Sequence, residues 1–192
     1  MSTGAIVGIV VGGVVGILLI AIIAWIWATY NKFIRMRNDC DEAFSTMDVY
    51  LKKRYDLIPN LVETVKGYAK HENKTLEAVI QARNMAMNSK SAEEQIKNEN
   101  ILSGTLKSLF AVSENYPELK ADKHFTEMMN SLRQIEEEIT SSRKYYNAVV
   151  KEYNIKREVF PSSIIAGWFK FVKKPLYEIE DVEQRKNVKV QF

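Results

Sequence analysis

The first thirty-one residues carry no charged side chain, and from Ile6 to Tyr30 almost every position is apolar. A helix over those twenty-five residues rises about 37 Å, enough to cross a hydrocarbon core with some tilt. Trp25, Trp27 and Tyr30 close the run, where amphipathic rings meet lipid headgroups, and Lys32, Arg35 and Arg37 follow at once. A cleaved secretory signal fits poorly, since it needs a basic stretch before the apolar run, a shorter run, and small residues at an A-x-A site. The pattern predicts a retained transmembrane helix over residues 5–30, with residues 1–4 as a short outer N-terminus. Basic residues flank the span on its C-terminal side only, so the positive-inside rule puts the rest of the chain in the cytoplasm.

Beyond the span, apolar residues fall at helical spacing. Phe33, Met36, Cys40, Phe44, Met47, Leu51 and Ile58 are three or four apart, with Arg54 in the slot before Ile58, and the stripe continues as Leu61, Val62, Val65 and Tyr68. This predicts a long first helix to about Lys70, bent at Pro59, because proline removes a backbone donor and crowds the preceding turn. A second helix is expected from Asn73 or Lys74 to Met87, with Leu76, Val79, Ile80, Ala82 and Ala86 inside. A third runs from Ala92 to Glu114, with Ser91 and Glu94 as a capping box and Ile96, Leu102, Leu106, Leu109 and Phe110 inside. Pro117 follows its end. A fourth follows Asp122 as its cap, on the stripe Phe125, Met128, Leu132, Ile135, Ile139, Tyr146, Val149 and Tyr153.

No stretch alternates at period two until the last few residues. The fold class is therefore all-α: one N-terminal transmembrane helix, then an antiparallel cytoplasmic bundle of about four long helices over residues 31–158. If the helices alternate in direction, the fourth returns toward the membrane. Residues 159–192 then open with Trp168, Phe169 and Phe171 interleaved with Lys170, Lys173 and Lys174, suited either to an interfacial membrane contact or to a loop packed on the bundle end. Val188–Phe192 reads as a short strand or a docked extended segment.

Gly4, Gly8, Gly12 and Gly16 recur every fourth residue and form one ridge on the span. Such a ridge lets a second backbone approach closely, although glycine is in any case commoner in membrane helices. With no second span in the chain, the partner would be another copy or another protein.

Composition narrows the chemistry. Twenty-seven basic against 24 acidic side chains gives no excess for nucleic-acid binding. One cysteine excludes an internal disulfide framework, and Cys40 on the apolar stripe reads as a buried structural thiol. His71-Glu72 begins like a zinc-protease motif, but Thr75 stands where the second histidine belongs, so no metal or other cofactor is expected. Arg54 and Arg143 take inward slots and need partners, for which Asp48, Asp56 and Glu136 are candidates. With Tyr146, they predict a structural polar network of Arg54, Asp56, Glu136, Arg143 and Tyr146 that fixes helix register.

Several of these segments also resemble the LemA family: Tyr30-Asn31, Arg54-Tyr55-Asp56-Leu57-Ile58-Pro59-Asn60-Leu61, Tyr116-Pro117-Glu118-Leu119-Lys120, Arg143 with Tyr146-Asn147, Tyr153-Asn154, and Phe160-Pro161. The likeness covers nearly the whole chain, departing at Asp122, where the family tends to have asparagine, and at Val188, where it often has proline. It implies a bacterial plasma-membrane protein with a short outer N-terminus, one span and a cytoplasmic helical bundle, and it supplies no reaction. The expectation is a non-enzymatic, self-associating scaffold or membrane-organising module. Its partners are the lipid bilayer, further copies of itself, and an unidentified protein. The alternative is a sensory adaptor whose bundle, hinged at Pro59, controls a membrane enzyme; an enzyme ranks last.

Overall fold

The computed structural model describes residues 2–69 and 71–177. Six helices form among them, and no strand: α1 Thr3–Tyr68, α2 Asn73–Met87, α3 Ala92–Glu114, α4 Pro117–Ala121, α5 Lys123–Glu158 and α6 Ser162–Trp168. The span and the first bundle helix are one element, because α1 continues through Pro59 without interruption. Two short helices, α4 and α6, add to the long ones expected. Val188–Phe192 lies outside the described residues.

The described residues divide into two units, 2–42 with 148–174, and 43–147 with 175–177; α1 and α5 contribute to both. In the second unit, Asp48 meets Gln95 and Arg54 meets Ser103, so α1 and α3 run the same way. Phe44 meets Tyr146, Arg54 meets Glu136 and Tyr68 meets Asp122, so α5 runs back against α1. The α2–α3 turn is capped as its sequence requires. Ser91 Oγ accepts from the Glu94 N–H at 3.1 Å, and Glu94 reaches back to the Lys90 N–H at 2.9 Å. Buried Asn98 braces the same turn, donating to the Met85 carbonyl and to Ser89 Oγ. Met47, Leu51, Ile58, Leu61, Leu102, Leu106, Leu109 and Leu132 fill the core on the predicted stripes.

Proline at position 59 leaves the carbonyl four residues earlier, that of Tyr55, without its helical donor. Arg83 of α2 replaces it, its Nε donating to the Tyr55 carbonyl at 2.6 Å.

In the first unit, residues 6–23 of α1 leave their large apolar side chains exposed, whereas Phe33 and Cys40 are fully buried. The end of α5 returns beside them, with Tyr153 edge-on to Phe33 at 6.2 Å between ring centroids. After Ser162 Oγ bonds the Lys156 carbonyl, α6 runs to Trp168, and Lys170, two residues beyond its end, takes a left-handed φ of 54°. The Phe171 N–H then reaches the Ala166 carbonyl at 2.9 Å, and the Lys170 N–H reaches that of Gly167. This six-to-one closure turns the chain back and stacks Phe171 on Phe33 at 4.8 Å.

Candidate functional site

The second unit holds a buried charge cluster. Arg54, with no exposed surface, donates through Nη1 to Glu136 at 2.6 Å and to Ser103 Oγ at 3.2 Å, and pairs through Nη2 with the equally buried Glu99. Tyr55 donates its hydroxyl to the other Glu99 oxygen. Arg143 stands 3.9 Å from Glu99, donates to Tyr177 Oη at 3.1 Å, and lies over the Tyr177 ring at 4.2 Å. Two cations face two carboxylates, so the cluster is neutral in sum and suits a register lock. Burial pushes the Tyr177 hydroxyl up to about 12, holds the Tyr55 hydroxyl above its usual range, and lowers Arg143. Both hydroxyls therefore stay protonated at neutral pH, Tyr55 as a donor to Glu99 and Tyr177 as an acceptor from Arg143.

The cluster thus brings Arg54, Glu136 and Arg143 together, and Asp56 does not join them. Two residues past Arg54 on a helix is about 200° around the axis, and Asp56 is exposed. Asp48 is also exposed and accepts from Gln95. The acid that Arg54 needed is Glu99, which sequence reasoning missed. Its signal was present, since Glu99 continues the buried stripe between Ile96 and Leu102.

Tyr146 bonds elsewhere, and its sequence neighbour explains why. In the second unit Tyr146 donates to the Pro175 carbonyl, while the Asn147 amide donates to the Tyr177 carbonyl and accepts its N–H. In the first unit Tyr153 donates to the Val172 carbonyl, while Asn154 holds Lys174 by the same two-way bond. Seven residues of helix rise about 10.5 Å and three extended residues about 10 Å, so a Tyr-Asn pair repeated at seven clamps an extended chain every third residue. These bonds reach only backbone, so they fix the strap's path and not its sequence.

The expected membrane-interface residues divide into two groups. Trp25, Trp27, Lys32, Arg35, Arg37, Trp168, Phe169, Lys170 and Lys173 are exposed, and Tyr30 is partly so. Phe171 is instead buried against Phe33, and Lys174 pairs with Asp41, so neither projects outward. The C-terminal segment packs on one face only. One face, Ile165, Ala166 and Phe171, packs; the other, Phe160, Ile164, Trp168 and Val172, stays exposed. Phe169 rests on Tyr30 at 4.7 Å between centroids, so this segment sits where the apolar part of α1 ends. Gly4, Gly8, Gly12 and Gly16 present open space, with nothing within 4 Å of an added Cβ. Burial pushes the Cys40 thiol up to about 11, which keeps it protonated and unreactive.

A family model described as LemA family matches residues 43–192. Protein LemA of Metamycoplasma hominis is 24% identical over 158 residues, covering 80% of this chain and 71% of its own length. Magnetosome protein MamQ 2 of Paramagnetospirillum magneticum is 25% identical over 174 residues, 77% of this chain and 64% of its own. Magnetosome protein MamQ of Magnetospirillum gryphiswaldense is 24% identical over the same shares. The chain therefore spans less than two thirds of these magnetosome proteins.

Proposed function

The chain belongs to the LemA family, and from that premise we propose that it is a non-enzymatic, single-pass bacterial membrane protein that self-associates as a membrane-organising scaffold. In this reading residues 5–30 cross the plasma membrane, with the N-terminus outside and the bundle in the cytoplasm. The observation that carries it is the uncharged apolar stretch of α1, mean hydropathy 3.1, none of whose most apolar window is covered by the other described residues. In water that surface would be a severe cost; in lipid it is matched. The glycine ridge on the same stretch is open, and this supports a second helix as its partner. The charge cluster is internally paired, and this supports a structural over a catalytic role.

The test is the mass of the full-length protein in a mild membrane mimetic. The parent chain gives a defined oligomer, and a variant with Gly4, Gly8, Gly12 and Gly16 all changed to leucine gives a monomer. An oligomer unchanged in the variant removes the ridge from the assembly, and a monomeric parent removes self-association.

A further inference from the structure

Resting on the membrane reading above, we propose that the turn after α6 forms a binding site for the headgroup of an anionic glycerophospholipid. A cavity of about 530 Å³ opens between the end of α5 and this turn, and Arg157, Lys170 and Lys173 bring three cations to it, with Ser163 and Gly167 on its wall. The turn itself creates the arrangement. The six-to-one closure at Lys170 folds residues 171–173 back beside α5, and Arg157 Nε fastens them by donating to the Phe171 carbonyl at 2.9 Å. One carboxylate is near. Glu158 lies 3.5 Å from Lys173 and 3.7 Å from Arg157, which leaves the site about two charges positive. Lys170 has no carboxylate partner among the described residues.

What surrounds these cations selects the ligand. Val172, 71% exposed, lines the cavity, and the exposed Ile164 and Trp168 follow its lining residues Ser163 and Gly167 in sequence. A dissolved anion would leave those side chains in water, whereas a lipid brings an apolar medium with its phosphate. Phe169, next to Lys170, closes an apolar groove of about 220 Å³ with Ile23, Ile26, Trp27 and Tyr30, where an acyl chain can lie along α1. The groove's α1 residues are the last turns of the apolar stretch, so the cations stand at headgroup depth. A net negative headgroup is preferred over a zwitterionic one, whose own cation would meet the lysines.

The test uses the full-length chain with Trp25→Phe and Trp27→Phe, leaving Trp168 as its one indole. It is reconstituted in phosphatidylcholine vesicles containing a minor fraction of phosphatidylglycerol, with brominated acyl chains on one lipid or the other. Each basic residue near an anionic surface favours it about fivefold, so brominated phosphatidylglycerol quenches Trp168 several-fold more per molecule than brominated phosphatidylcholine. Lys170→Gln with Lys173→Gln brings that ratio to one. Equal quenching by both lipids in the parent, or an unchanged ratio in the lysine variant, overturns the headgroup site while the interfacial seating stands. Absence of quenching in protein that floats with the vesicles overturns the seating as well. Protein that does not float overturns the membrane anchor itself.

Discussion

At the scale of single residues, the strongest constraint is that a buried charge must be answered. Arg54 touches Glu99, Glu136 and Ser103 with no exposed surface of its own. Removing only the cation leaves Glu99 buried with little compensation, so Arg54→Met should cost about 3–5 kcal/mol in denaturant unfolding of the full chain. Adding Glu99→Met should return more than half of that, because an apolar pair of similar volume replaces the ions. No recovery would mean that Glu99 answers Arg143 more than Arg54. The inward slots of Arg54 and Arg143 were legible, the first because it interrupts the apolar stripe of α1, the second because it falls on the inner side of α5. Glu136 was one of three acids available to answer them. Asp56 misled through nearness in sequence, and Glu99 was hidden among the other acids and amides of α3. Arg83 was illegible for a different reason. Its task, answering the carbonyl that Pro59 orphans, exists only once α2 packs beside α1. Arg83→Met should cost about 1–2 kcal/mol, and less than half as much in a Pro59→Ala background, where the restored backbone N–H serves the Tyr55 carbonyl instead. An equal cost in both backgrounds would remove the proline from that account.

At the scale of elements, boundaries were legible wherever a side chain caps a helix locally. Ser91 and Glu94 set the start of α3, and Asp122 starts α5 by accepting the Phe125 N–H at 2.9 Å. Tyr68 donates to the same carboxylate from α1 at 2.8 Å. The Phe125 backbone bond first, then Tyr68, holds the Asp122 carboxyl below its ordinary value of 3.8. Because the folded pKa is the lower one, this stabilisation is complete above that ordinary value and is lost as pH falls through the folded pKa. In acid unfolding, Asp122→Asn should keep most stability at neutral pH and flatten this part of the pH dependence. An unchanged slope would show that the cap does not titrate with folding. The Tyr-Asn clamps were visible only as a recurring pair, since nothing in the periodicity of α5 says that an extended segment thirty residues later in sequence will lie along it. The partition of residues 160–174 into a packed and an exposed face was equally hidden, because a six-to-one turn at Lys170 decides it and lysine is not the usual residue there.

At the scale of the molecule, family membership, the all-helical class of the described residues and the apolar first helix were all legible, the last from a charge-free run that none of the other described residues covers. Self-assembly and sidedness are properties of the protein in its membrane, beyond what one chain's packing expresses. The account stands or falls on α1 crossing a bilayer with its two ends on opposite sides. Full-length protein in intact bacterial cells, with Cys40→Ser and either Ser2→Cys or Lys90→Cys, is exposed to a membrane-impermeant maleimide before and after lysis. The account predicts that the Ser2→Cys variant labels in intact cells and that the Lys90→Cys variant, in the exposed α2–α3 turn, labels only after lysis. Labelling of the Lys90→Cys variant in intact cells, with the Ser2→Cys variant protected, would contradict it.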